Sequence, residues 1–237
     1  LRLSRGLGDV YKRQPLEDYN FILHHFLKIE KEDIEGYKDL SPEFTKPIFE
    51  EAGKLASEVI SPSNKDGDEQ GCKLENGIVR TPDSFKLAFD KLRAGGWLSL
   101  DIEEEFGGQN SPLILSTVTN EMFTSANMSL TMYSGLSRGA YSAIFLHGSD
   151  EQKQLYLPKL ATCEWTGTMN LTEPHCGTDL GLIRTKATPN ENGSYQVSGQ
   201  KIFISSGDHD LSKNIIHLVL AKTPDAPEGV RGISLFV

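Results

Sequence analysis

Cysteine is scarce in this chain. Cys72, Cys163 and Cys176 are the only three in 237 residues, and no two form a CxxC pair. That spacing excludes a disulfide framework, gives no zinc signature and suits a reducing compartment. Basic charge is also short: 24 Lys and Arg against 33 Asp and Glu leave a net charge of -9. No basic stripe offsets it, so nucleic acid is not an expected partner. Long apolar runs are missing too. Nothing approaches the roughly 20 residues that a membrane helix needs, and no span is expected. The six histidines are scattered. His24 and His25 would face different ways on a helix, which reads as a surface pair, and no metal is expected. The chain begins at Leu1 rather than Met and ends at Val237 inside an apolar run, so a fragment is the expectation.

What is present describes a globular protein, 38% hydrophobic and 24% charged, with ample material for a core. Residues 1–14 (LRLSRGLGDVYKRQ) are basic and without periodicity. They are expected to be a non-native scar or disordered; an Arg-rich, acid-poor transit peptide shares that composition. From Pro15 to about Leu160 helix signals recur. Ser41-Pro42, Thr81-Pro82 and Ser111-Pro112 each offer a hydroxyl N-cap followed by Pro at the first helical position. The spacing predicts apolar stripes of Phe44, Ile48, Ala52, Leu55 and Val59, then Phe85, Ala88, Phe89 and Leu92, then Leu115, Val118 and Met122. Gly95-Gly96 should stop the second of these helices. Ser149-Asp-Glu-Gln152 is a capping box, and Pro158 should limit its helix. Ser134–Leu146 is small or apolar on nearly all sides and predicts a buried central helix. The carboxylates at Glu103–Glu105 lack the alternation of a calcium loop and read as a solvated run.

The texture changes at Thr166. Strands are expected over 183–188, 194–197, 201–205, 215–221 and 232–237, separated by turn clusters. The fold class is therefore α+β and multidomain. An all-α domain over 15–164 precedes a truncated antiparallel, β-barrel-like domain over 165–237. At their junction stands Thr166-Gly-Thr-Met-Asn-Leu-Thr-Glu-Pro-His-Cys-Gly-Thr-Asp-Leu-Gly181. Its break at Glu173-Pro174 should leave N–H groups without ladder partners beside the hydroxyls of Thr172 and Thr178, a setting for an anion such as phosphate. A tight turn between two strands accounts for the same residues.

Four pieces in order resemble the flavin-dependent acyl-CoA dehydrogenases. They are Glu104-Glu-Phe-Gly-Gly-Gln109, Gly148-Ser-Asp-Glu-Gln-Lys-Gln-Leu-Tyr-Leu-Pro-Lys-Leu160, Leu171-Thr-Glu-Pro-His-Cys-Gly-Thr-Asp179 and Gly199-Gln-Lys-Ile-Phe-Ile-Ser205. The resemblance runs from about Pro15 to the end. It implies FAD as cofactor and the α,β-dehydrogenation of an acyl-CoA thioester. In wording the chain looks closest to the branch that oxidises 3-(methylthio)propanoyl-CoA during dimethylsulfoniopropionate breakdown. It implies that Met169, Leu171 and Thr172 line the flavin ring, and that Gly177 and Thr178 meet the pyrophosphate. Thr178 also touches the acyl-CoA, while Phe203 packs on the flavin and Ser205 bonds near its reactive nitrogen.

The family's catalytic base comes from a C-terminal helical bundle that this stretch lacks, so no catalytic residue is expected here. Glu173 is read as a brace of its loop. Phe203 departs from the family's usual Trp, and Asn170, Cys176 and Leu182 also depart. The resemblance further implies an electron-transferring flavoprotein as electron acceptor, a dimer or tetramer, and a cytoplasmic, bacterial-type location with the mitochondrial matrix as the other. An acyl-CoA oxidase of the same fold, and a flavin- or CoA-binding module without a base, stand as alternatives.

Overall fold

The computed structural model describes residues 14–237; the basic segment singled out above lies outside the described residues except for Gln14. Helices come first: α1 (Leu16–Asn20), α2 (Pro42–Leu55), α3 (Ser61–Gln70), α4 (Asp83–Ala94), α5 (Leu113–Ala126), α6 (Met128–His147) and α7 (Asp150–Ala161). A small hairpin, β1 (Lys73–Glu75) with β2 (Ile78–Arg80), interrupts them. Its turn, Asn76-Gly77, has both residues at positive φ, the geometry that an Asn-Gly pair favours. After α7 come β3 (Trp165–Asn170), β4 (Lys186–Pro189), β5 (Tyr195–Ser198), β6 (Asn214–Lys222) and β7 (Ile233–Phe236). The chain forms two compact units, one running to Met132 and including His209–Leu211, the other holding the remainder.

In the first unit the cores of α4 and α5 match the predicted stripes. Phe85, Ala88, Phe89 and Leu92 are buried, as are Leu115, Val118 and Met122. The stripe on α2 differs. Thr45, Phe49, Ala52 and Gly53 are its buried residues, and Phe44 is half exposed. The inward face is turned by about one residue, so of the predicted set only Ala52 is buried. Ser41 caps α2 by accepting the Phe44 N–H. The other two proposed caps do not form. α4 and α5 begin after Pro82 and Pro112 without a side-chain cap; at α4, Thr81 Oγ1 instead donates to Asp210 at 2.8 Å. His24 is buried between Glu30 and Thr45, so it is not half of a surface pair.

The second unit keeps its capping box, since Ser149 and Gln152 bond reciprocally. Pro158 lies inside α7, which continues to Ala161; the proline removes one N–H donor without stopping the helix. The predicted all-round burial of 134–146 gives way to one buried face, Ser137, Ala140, Tyr141 and Ile144. The opposite face carries Gly135 and Gly139, and nothing lies within 4 Å of a Cβ built at either.

The sheet runs β3-β6-β4-β5, with β7 on β6. It is open and mixed, not purely antiparallel. β3 pairs with β6 in parallel, while β4–β5 and β6–β7 are antiparallel. The long connection from β3 to β6 supplies the crossover that parallel pairing demands. Residues 201–205, expected as a strand, form no strand: Phe203 and Ser206 sit at positive φ, 55° and 57°, which breaks any ladder.

Candidate active-site wall

β3 is held from behind. Gly167 N–H donates to Ser137 Oγ at 3.0 Å, and a Cβ at Gly167 would come within 2.4 Å of Ala140. Only glycine lets the strand lie this close to α6. On the opposite face of the strand Thr166 and Thr168 are buried. Thr168 Oγ1 donates to Asn170 Oδ1 at 2.6 Å and meets His217 Nδ1 at 2.7 Å. Having spent its one proton, the hydroxyl accepts from His217. Burial lowers the His217 pKa against the pull of Asp208, so the ring serves as a neutral tie between β3 and β6. Strand alternation puts Met169, 42% exposed, on the same face as Gly167, two residues further along β3.

Beyond β3 the chain turns tightly. Glu173 N–H donates to the Cys176 carbonyl at 2.8 Å and Cys176 N–H returns a bond to Glu173 at 3.1 Å. The expected break therefore satisfies two of its own N–H groups. The N–H groups of Gly177 and Thr178 have no protein partner among the described residues. Thr172 stands beside them, its Cγ2 only 3.4 Å from where a Gly177 Cβ would be.

Glu173 is 3% exposed and fully engaged. It accepts from the Arg184 N–H (2.8 Å), the Thr185 N–H (3.0 Å), the Thr185 hydroxyl (2.6 Å) and Lys201 Nζ (3.0 Å). Burial alone would raise its pKa. The bonds from Thr185, Arg184 and Lys201 outweigh that and bring it down to about 2, so the group is an ionised brace with its lone pairs committed. The ligand atoms of Glu173, His175 and Cys176 lie within 4.8 Å of one another. With Glu173 committed and His175 Nε2 donating to the Leu182 carbonyl at 2.9 Å, they form a hydrogen-bonded corner.

The second motif is fastened to the first. Ile202 N–H donates to the Thr172 carbonyl at 3.0 Å, and Lys201 Nζ reaches both the Leu171 carbonyl and Glu173 at 3.0 Å. Phe203 follows with its ring 90% exposed, held out on left-handed backbone. Sequence reasoning named Met169, Leu171, Thr172, Gly177, Thr178, Phe203 and Ser205. The structure joins the segments carrying Thr172, Gly177 and Phe203; Thr178 and Ser205 are exposed on the adjoining turns. It missed Lys201 and Thr185. The only signal for Lys201 was its position inside the second motif, and Thr185 had none. An outward aromatic ring, two unpaired N–H groups and a hydroxyl on one wall fit a flat, phosphate-bearing cofactor.

A family model for the acyl-CoA dehydrogenase N-terminal domain matches residues 43–164. The chain belongs to the acyl-CoA dehydrogenase family. It is 45% identical to 3-methylmercaptopropionyl-CoA dehydrogenase of Ruegeria pomeroyi over 94% of its own length and 38% of that protein's. The chain thus spans about two fifths of that curated relative. Among solved structures, the acyl-CoA dehydrogenase of Geobacillus kaustophilus aligns at TM-score 0.66 and 30% identity, over 83% of this chain and 47% of that one. That of Bacillus anthracis, solved in complex with FAD, aligns at 0.62 and 27%, over 78% and 30%. No helix among the described residues is long and apolar enough to cross a membrane.

Proposed function

We propose that this acyl-CoA dehydrogenase chain supplies the FAD- and thioester-binding wall for oxidation of a short acyl-CoA to the enoyl-CoA. 3-(Methylthio)propanoyl-CoA is the foremost substrate. The observation that carries the reading is the 45% identity to an enzyme named for that thioester, sustained over 94% of the chain. The family-type domains are 15–164 and 165–237, although α7 and most of α6 belong to the compact unit that holds the sheet, and a C-terminal helical bundle is proposed to complete the enzyme.

FAD, when bound, supplies the hydride acceptor. The chain's own residues bind and orient. Met169 and Leu171 give the ring an apolar bed, and Phe203 covers it. Thr172 and Ser205 offer hydroxyl donors where negative charge develops, which lowers the barrier because the donors are already in position. The free N–H groups of Gly177 and Thr178 take the pyrophosphate, and Thr178 also meets the thioester. Glu173, ionised down to about pH 2, holds the loop and takes no proton; α-proton removal falls to the bundle. Electron-transferring flavoprotein is the acceptor, the assembly a dimer or tetramer, the compartment the cytoplasm.

The full-length protein should purify yellow, and a short acyl-CoA should bleach its flavin band near roughly 450 nm. A colourless protein that takes up no added FAD would sink the reading. Thr172→Val should slow flavin reduction by about 100-fold, the scale of a lost donor to developing charge, with little change in acyl-CoA affinity. Equal losses in both would remove Thr172 from the ring edge.

A further inference from the structure

One helix of the first unit is apolar on both sides. After α1 the chain continues through a wider, π-helical stretch, Phe21–Leu27, with the sequence Phe-Ile-Leu-His-His-Phe-Leu. Its inner side is built in. Leu23 and His24 are buried. His24 bonds to Glu30 through Nδ1 and to Thr45 of α2 through Nε2 at 2.8 Å, and Tyr19, just before, donates to Glu121 of α5 at 3.0 Å. The outer side is in solvent. Phe21 is 58% exposed and Phe26 73%, with Ile22 and Leu27 at 45% each. A π-helix bonds residues five apart, which brings Phe21 next to Phe26 and Ile22 next to Leu27. Phe21 also stacks on the exposed His25 ring at 6.1 Å. Four large apolar side chains thus share one face, with Glu17 and Asp18 before it and Lys28 and Lys31 after it. A helix that is apolar all round belongs in an interior, and an apolar patch rimmed by charge marks an interaction surface.

We propose that this face is the docking surface for a stretch of the same polypeptide that longer members of the family carry and shorter members lack. The family model begins at residue 43, so residues 14–42 lie outside the domain it describes. Three relatives match 93% or 94% of this chain, too much of it to omit a stretch of that length, and the chain covers only 37% or 38% of them. Two solved dehydrogenases match less of this chain, 83%, yet that smaller match fills 47% and 48% of their length. The relatives that share the apolar helix are therefore much the longer proteins. Helix and additional length go together, as a surface and its cover must. A cover within one polypeptide buries the face without the entropy cost of bringing two molecules together, which favours it over a second copy. The docking surface stands or falls independently of the proposed function.

The test uses the full-length enzyme. The photo-cross-linker p-benzoylphenylalanine replaces Phe26, an equal mixture of unlabelled and heavy-isotope-labelled protein is irradiated, and mass spectrometry identifies the joined peptides. The expected result links position 26 to the additional stretch, with both peptides carrying the same isotope content. Mixed-isotope pairs would give the face to a second copy, links to residues 1–13 would give it to that segment, and links to regions that the shorter relatives also possess would give it to the ordinary fold. Each of these overturns the proposal, and so does the absence of any link. Phe21→Ser/Phe26→Ser supplies a second measurement at two exposed positions. Hydrogen exchange in the additional stretch should quicken by about 10-fold or more as its local opening becomes easier, while peptides of α4 and α5 keep their protection. Unchanged exchange in that stretch overturns the docking surface. Faster exchange throughout, α4 and α5 included, would show that the two rings support the first unit itself, and overturns it as well.

Discussion

Glu173 and Phe203 sit on two segments joined by one backbone bond, Ile202 N–H to the Thr172 carbonyl, and they invert the usual rule of burial. The carboxylate is inside, 3% exposed, and the phenyl ring is outside, 90% exposed. Each placement costs free energy by itself. Glu173 recovers that cost within the chain, from Thr185, Arg184 and Lys201. Phe203 recovers nothing within the chain: its ring is in solvent and its backbone is left-handed. A buried charge held by four hydrogen bonds is architecture. An apolar ring held outward on unfavourable backbone is the feature on which the proposed flavin contact rests. The chemically tempting residue is thus the structural one, and the proposed binding falls to the bland one.

The largest test of this contrast removes the brace. Glu173→Ala strands Lys201 Nζ and the Thr185 and Arg184 donors in a buried setting. Breaking a buried pair by deleting one partner costs about 3–5 kcal/mol, which for a domain of this size lowers the melting temperature by roughly 10 °C. Calorimetry that found the variant within a degree or two of the parent would show that Glu173 is not holding the loop.

Acid should reach the same contact without mutation. The folded-state pKa of Glu173 is depressed from 4.5 to about 2, so its contribution is fully present above about pH 4.5 and is lost as the pH falls toward 2. The shift corresponds to about 3 kcal/mol. Melting curves between pH 6 and pH 2 should therefore fall more steeply for the parent than for Glu173→Gln. Parallel curves would assign the acid sensitivity to other groups.

How much of this was legible in the sequence differs by region, for a physical reason. Where one helix face meets one core, periodicity suffices, and the stripes on α4 and α5 were readable to the residue. On α2 the same pattern misread the inward face, because its apolar residues span a stripe wide enough to be entered in two registers. The sheet content was readable but its pairing was not: parallel β3–β6 contact depends on a crossover that no local signal encodes. Within the site, Thr172 was readable as a hydroxyl of an anion-binding turn, and Phe203 was named only because two motifs stood in family order. The bond between their segments, and Lys201 reaching the Leu171 carbonyl, come from residues that form no strand and run into the left-handed residue at Phe203. That residue abolishes the strand alternation the sequence predicts.

The smallest effect is the most discriminating, since it should move stability and binding in opposite directions. Phe203 adopts φ 55°, a region that costs a side-chain-bearing residue about 1 kcal/mol and costs glycine almost nothing. Its ring is 90% exposed, so deletion leaves no cavity. Glycine also adds conformational freedom to the unfolded chain, which offsets part of the gain. Phe203→Gly should therefore leave the melting temperature unchanged or raise it by a degree or two, while FAD affinity falls by about 10-fold with the stacking surface, a loss on the scale of one aromatic contact. Phe203→Trp serves as the control: it keeps the backbone cost and restores a stacking face, so FAD affinity should return with no gain in stability. If glycine lowered the melting temperature and spared the flavin, the ring would be packing within the protein and the contrast with Glu173 would collapse.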